Sequence, residues 1–166
     1  MNAFLIGNLI SGVGCLIMVG IGLLRKKTHI LLAQCVQCCF MGVGNLVLGG
    51  ISGFICNMVT IVRNLVLVRF PITTTLKVIF ILLQLLLSLG SLGDGFISWL
   101  PLISAAMFIW FLDTPSATKL KVVMLVSQVM WLTYDLYYRN YVTSAFDVMT
   151  MCSNVIALVM IQREKK

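Results

Sequence analysis

Long apolar runs alternate along the chain with short breaks built from charged residues, glycine or proline, and seven such runs can be marked. The first, Asn2 to Leu24, ends at the basic cluster Arg25, Lys26 and Lys27, and the second, from about His29 to Leu48, is broken by Gly49 and Gly50. The third, Ile51 to Arg69, stops before Pro71, which lacks the N–H that a continuing helix needs. The fourth, about Thr75 to Leu89, runs into SLGSLGDG, and the fifth, about Phe96 to Leu112, ends at Asp113-Thr114-Pro115. The sixth, about Lys119 to Tyr138, is joined by a short YRNY turn to the seventh, about Val142 to Gln162, before the tail REKK. A transmembrane helix needs roughly 20 apolar residues. The pattern therefore predicts an all-α membrane protein with seven transmembrane helices and no separate aqueous domain.

Composition agrees with that class. Sixty per cent of the 166 residues are hydrophobic, ten per cent are charged and the mean hydropathy is +1.06, which excludes a soluble fold. A cleaved signal would place its charges before its apolar run, so helix 1 is expected to be retained. The net charge of +7 would suggest nucleic acid in a soluble protein, but here it reports orientation. Seven helices put Arg25, Lys26, Lys27, Arg69, Lys77, Lys119, Lys121, Arg163, Lys165 and Lys166 on one side and only Arg139 on the other. By the positive-inside rule the N-terminus lies outside and the C-terminus in the cytoplasm. Trp99, Tyr134, Tyr137, Tyr138 and Tyr141 fall near the outer ends, where amphipathic rings sit at an interface. The partners expected are the lipid bilayer and a small-molecule solute, with no nucleic acid; monomer and homo-oligomer both stay open.

Candidate chemistry is sparse. All six cysteines lie in apolar runs and read as packing residues; Cys35, Cys38 and Cys39 contain a CxxC spacing, but no second pair accompanies it and His29 is the single histidine. No metal or cofactor is expected. Without a nucleophile beside a histidine base, a phosphate-binding glycine loop or paired catalytic carboxylates in accessible segments, neither is an enzyme.

Sliding the chain on itself by 91 positions lays helices 1 to 3 on helices 5 to 7 and leaves helix 4 as a connector. Gln37 then meets Gln128, Phe40 meets Trp131, Ser52 meets Thr143 and Arg63 meets Asn154. One helix between two three-helix units makes the repeat parallel. The expected organisation is a first bundle over 1–70, a connector over 71–94 and a second bundle over 95–166. This 3+1+3 arrangement is SWEET-like, and PQ-loop amino-acid exporters, PnuC-type vitamin transporters and the KDEL receptor share it. At closer range the stretch LVLGGISGFICNMVTIVRNLVLVR, with arginines at 63 and 69, and the Asp147 and Asn154 pair in helix 7 resemble the YgjV-type bacterial inner-membrane protein family. The resemblance covers most of the chain and implies the bacterial inner membrane. The Pro-Gln pair that names the PQ-loop proteins is absent.

Polar residues recur on single faces of four helices: Asn57, Thr60, Arg63 and Asn64 in helix 3, and Asp147 and Asn154 in helix 7. Gln128, Trp131 and Asp135 do the same in helix 6, and Gln34, Gln37 and Asn45 in helix 2. They read either as interhelical glue or as the lining of a central cavity. Arg63 has two readings, a cytoplasmic anchor that snorkels or a substrate or ion-pair residue. Asp147 reads as the one acid well within a span. The substrate-binding candidates are Arg63, Asn57, Asp147, Asn154, Gln37, Gln128 and Trp131. Pro101 should kink helix 5, as a static bend or a hinge. Gly7, Ser11 and Gly14, and Gly49 and Gly53, should let helices approach closely. The expected function is small-solute transport or facilitation; the alternative is a non-transporting membrane protein, a receptor or assembly factor, in which the seam only packs. Reporters fused after Lys27, Phe70, Ala117 and Lys166 should read cytoplasmic and those after Gly50, Gly93 and Asn140 external; two exchanged readings would contradict seven spans.

Overall fold

Among the described residues seven α-helices form where the apolar runs predict them: α1 Ala3–Ile21, α2 Lys27–Val47, α3 Ile51–Arg69, α4 Thr74–Ser88, α5 Trp99–Phe111, α6 Ala117–Tyr137 and α7 Tyr141–Arg163. The structure is a computed structural model that describes residues 2–21, 26–114 and 116–163. The expected end of helix 1 at Leu24, the basic residues Arg25, Lys165 and Lys166, and Pro115 lie outside the described residues. Four helices, α1, α2, α3 and α7, are long and apolar enough to cross a membrane by length and composition. The apolar helices α4 and Gly95–Phe111 are shorter. The 21 residues of α6 include Lys119, Lys121, Gln128 and Asp135.

The largest departure from the sequence pattern precedes α5. Residues Leu89–Ser98 form 3-10 turns, where a loop and the first turn of helix 5 were expected. Gly95, at φ +65°, supplies a backbone conformation that side chains oppose. The α-helix then begins at Trp99, so Pro101 occupies its first turn. First-turn N–H groups have no intrahelical partner, so Pro101 breaks no helical bond there, and the expected mid-helix kink is replaced by the 3-10 to α junction.

Neighbouring helices pack in chain order, α1 on α2 on α3 and α5 on α6 on α7. Contacts of α1 with α7 and of α3 with α5 close these six into a ring, and α4 bridges α3 and α5. Burial is inverted relative to a soluble protein: among the described residues the buried set is dominated by Asn, Ser, Asp, Gln and Arg side chains, whereas Leu, Val, Ile and Phe fill the exposed surface. Lipid in place of water reverses the preference, because exposed apolar groups lose nothing and unpaired polar groups lose a great deal. The closest backbone approach is between α1 and α2. A Cβ on Gly44 would lie 2.1 Å from Ser11 Oγ and 3.1 Å from the Gly7 carbonyl oxygen, so the small residues of α1 act in packing as expected.

The turns after α2 and α6 have the same geometry. Gly49, at φ +90°, donates its N–H to Leu46 O at 3.1 Å, and Gly50 N–H reaches Asn45 O at 2.8 Å. Arg139, at φ +58°, donates to Leu136 O at 3.1 Å, and Asn140 N–H reaches Asp135 O at 2.8 Å. Both are Schellman turns, which return the last helical carbonyls to hydrogen bonding within a few residues. Arginine at the left-handed position costs roughly 1 kcal/mol, so its surroundings must hold the turn.

Tyr134 provides part of that hold and corrects one expectation. Its side chain is fully buried and does not join the aromatic belt expected at the outer ends; of that set Trp99, Tyr137 and Tyr141 are exposed. The Tyr134 hydroxyl accepts the Gly53 N–H at 2.7 Å and the Ser52 hydroxyl at 3.2 Å. Gly53 is in the first turn of α3, so a residue of α6 satisfies an N–H that α3 cannot. A Cβ on Gly53 would meet the Tyr134 ring at 2.7 Å and Asn45 Nδ2 at 2.8 Å, which explains glycine there. Tyr134→Phe should therefore destabilise the purified protein by about 1–3 kcal/mol with little loss of packing, measured by unfolding in detergent.

At the opposite end Lys77 is buried in α4, donates to Trp110 O at 3.1 Å and pairs with Asp113 Oδ1 at 2.5 Å. The hydrogen bond from the Lys77 ammonium holds the Asp113 carboxyl below the usual carboxylate range. A depressed acid contributes stability above its unfolded value, about pH 3.9, and loses it as pH falls through the folded value. Acidification below about pH 4 should loosen the start of α4 in hydrogen exchange, and Asp113→Asn should do so already at neutral pH and remove the acid dependence.

Candidate functional site

The polar faces predicted on α2, α3, α6 and α7 meet around one cavity of about 230 Å³. Six of the seven binding candidates line it: Gln37 from α2, Asn57 and Arg63 from α3, Gln128 and Trp131 from α6, and Asp147 from α7. The seventh, Asn154, is buried elsewhere on α7, where its Oδ1 accepts from Lys121 Nζ at 2.9 Å. Pro101 does not line the cavity, and its carbonyl oxygen accepts the Cys56 thiol at 3.6 Å.

Helical spacing brings Arg63 to this wall. Steps of three from Asn57 to Thr60 to Arg63 keep all three on one stripe of α3, and all three line the cavity. Arg63 is 7 % exposed, so it does not face lipid as an anchor would. Its Nε and Nη2 donate to Asn64 Oδ1 at 3.2 and 3.0 Å, and Asn64 Nδ2 donates onward to Gln34 Oε1 at 3.2 Å. The guanidinium carbon lies 5.8 Å from the Phe108 ring centroid. Among the described residues the salt bridge is the one between Lys77 and Asp113, so Arg63 and Asp147 share a cavity without forming an ion pair.

Cavity residues from α1 and α5 gave no polar periodicity to find. Met18, Ala105 and Phe108 are apolar, and Ser104 is a lone hydroxyl in an apolar run, bonded to Ser127 of α6. Cys38 and Cys56, read as packing residues, also line the wall. Asp135, which its spacing puts on the polar face of α6 but which is not among the binding candidates, is 1 % exposed and also lines the cavity with Asp147.

Above the acids lies a hydrogen-bonded knot. Asn140 Nδ2 faces Ser11 Oγ at 3.2 Å, Asn45 Oδ1 at 3.2 Å and Asp135 Oδ1 at 3.4 Å, and Asn140 Oδ1 accepts from the Thr143 hydroxyl at 2.9 Å. Asn8 closes the same end by donating to Arg139 O at 3.1 Å and accepting from Val142 N–H at 3.1 Å.

A helical ring with an apolar periphery and a polar, charged interior defines an integral membrane protein with an internal polar site. The chain belongs to the Imp-YgjV family, described as "Bacterial inner membrane protein", whose model matches residues 5–165. Its location is accordingly the bacterial inner membrane. Neither the curated proteins nor the solved structures compared with the chain contain a significant match. Arg63→Lys should lower stability or site integrity even though charge is kept, since an ammonium lacks the fork that binds Asn64 through two nitrogens; unchanged unfolding of Arg63→Lys would contradict that role.

Proposed function

We propose that the protein is a small-solute transporter or facilitator of the inner membrane, with its solute site in the cavity lined by Arg63 and Asp147. The observation that carries this reading is the buried Arg63 cation with no carboxylate partner among the described residues. A guanidinium has five N–H donors, and among the described residues Asn64 engages its Nε and Nη2. Burying such a charge is costly unless something compensates it. A solute presenting a carboxylate or another strong acceptor supplies the compensation, with Gln37, Gln128 and the Trp131 ring to orient it. The cavity lies below the roughly 300–1,000 Å³ of drug-sized pockets, which favours a solute of monosaccharide or amino-acid size.

On this reading the chain crosses seven times, N-terminus outside and C-terminus cytoplasmic, as two parallel three-helix bundles joined by α4 in a SWEET-like arrangement. The cyclic neighbour order supports it, since exchanging α1, α2 and α3 with α5, α6 and α7 leaves that order unchanged. The matching Schellman turns, offset by 90 positions and so one less than the shift of the sequence, support it too, as does the presence in one cavity of Gln37 and Ser127, counterparts at that offset. Two of the shorter helices can be accommodated by local bilayer thinning.

Purified protein screened by thermal shift against sugars, vitamins and amino acids should be stabilised by one class, by about 2.7 kcal/mol at a hundredfold excess over Kd. Arg63→Ala and Asp147→Ala should keep the fold and weaken that ligand by about 2 kcal/mol or more, roughly 30-fold. No ligand and no flux in proteoliposomes would favour the non-transporting alternative, a receptor or assembly factor.

A further inference from the structure

Two acids meet at the cavity wall beneath the Asn140 knot. Asp135 of α6 and Asp147 of α7 are 1 % and 7 % exposed, and both line the cavity. Their carboxyl groups face one another closely enough for a direct side-chain hydrogen bond. Each nevertheless leaves a buried oxygen, Oδ2, without a hydrogen-bond donor among the described residues. Two orphaned carboxyl oxygens, one on each helix of the α6–α7 contact, need a donor between them.

The groups around the pair do not supply it. The Cys15 thiol faces both acids from α1, Asn140 in the α6–α7 turn donates to Asp135 Oδ1 and not to either Oδ2, and the Tyr134 hydroxyl lies against Gly53 and Ser52 of α3 and bonds neither acid. From α2 the nearest polar group of the knot is Asn45, which binds Asn140. The Arg63 cation shares the cavity but bonds Asn64. Two ionised carboxylates in direct contact, buried and without a cation, repel strongly in a medium of low dielectric constant. One proton removes the conflict: a carboxylic O–H on one acid donates to the carboxylate of the other, and the pair carries one negative charge in place of two. Asn140 donates to Asp135 Oδ1, an oxygen that accepts whether the group is acid or carboxylate, so the proton belongs to the pair and not to one residue.

We propose that Asp135 and Asp147 form a proton-binding dyad of the cavity that holds a single shared proton taken up from water. This deepens the solute-site reading and rests on it for one consequence, that the proton is the coupling ion. Loss of the proton makes the wall more negative by one charge, so protonation and solute occupancy are linked and each shifts the other.

The dyad can be tested without knowing the solute, by infrared difference spectroscopy of the full-length protein in lipid nanodiscs between about pH 5 and about pH 9. The chain has five acidic residues, which keeps the carboxyl region simple. The expected result is one deuterium-sensitive protonated-carboxyl band per chain that disappears as pH rises and is lost in Asp147→Asn and in Asp135→Asn. Should an Asn variant fail to fold, Asp147→Glu keeps the acid and should shift the midpoint of the same band. No such band at any pH, a band unchanged in every folded variant, or a sodium-specific rise in melting temperature without the band would each overturn the proton site. A solute found by thermal shift while the band is absent would overturn the dyad and leave the solute reading standing; a band without a solute supports the dyad alone.

Discussion

The side-chain amide of Asn140 is the contact on which the rest of the bundle depends. It has two N–H groups and faces three acceptors, on α1, α2 and α6, while its oxygen takes a hydroxyl from α7. Four of the ring's six helices are thereby registered at one end by one residue with no exposure. In water such bonds would exchange with solvent at little net cost, but in hydrocarbon the alternative is an unsatisfied group. The position of Asn140 is set in turn by the Schellman geometry at Arg139, which holds a side chain in the left-handed region. Asn8 bonds the Arg139 carbonyl, so α1 helps to keep the strained turn in place.

How completely each polar group is satisfied separates glue from site. Around Asn140 and Tyr134 donors and acceptors are matched, which is the behaviour of interhelical glue. Along the cavity the matching stops: Arg63 keeps unengaged N–H groups, and Asp135 and Asp147 each keep a bare oxygen. A membrane protein that needed these residues only for packing would gain by satisfying or replacing them. Ser98 Oγ and Asn154 Nδ2, away from the cavity, also have no partner among the described residues, so what favours the solute reading over simple packing is the kind of group left incomplete at the cavity, one cation and two acids.

Much of this was legible in the sequence because two periodicities carry it. Apolar run length located the helices, and steps of three and four along α2, α3, α6 and α7 selected six residues that share a cavity. What failed were long-range facts with no local signature. Tyr134 lies among exposed tyrosines in sequence, and its burial depends on glycines at 50 and 53 in another helix. Lys77 was counted only by its side of the membrane, and its burial and its pairing with Asp113, just beyond α5, had no local signal. Asn154 has the spacing of a lining residue and is diverted by Lys121, one neighbouring helix away. Pro101 was placed mid-helix because nothing local distinguishes 3-10 turns over Leu89–Ser98 from a loop followed by an earlier α-helix start.

The two halves, read as parallel repeats, resemble each other in backbone but not in charge. Their turns match at an offset of 90 positions, and Gln37 and Ser127 stand as counterparts on the cavity wall. Yet at that offset the counterpart of Arg63 is Ser153, and the counterpart of Asp147 is Asn57. The first half thus contributes the cation and the second half contributes both acids. A symmetric pair of identical sites would place like charges opposite one another across a small, poorly screened space, which is unfavourable. Divergence of the halves removes that repulsion and gives the cavity a positive wall at Arg63 and acids on the other side, at Asp135 and Asp147. The frame is held by glue that each half shares with the other, through Tyr134 to α3 and Asn140 to α1 and α2.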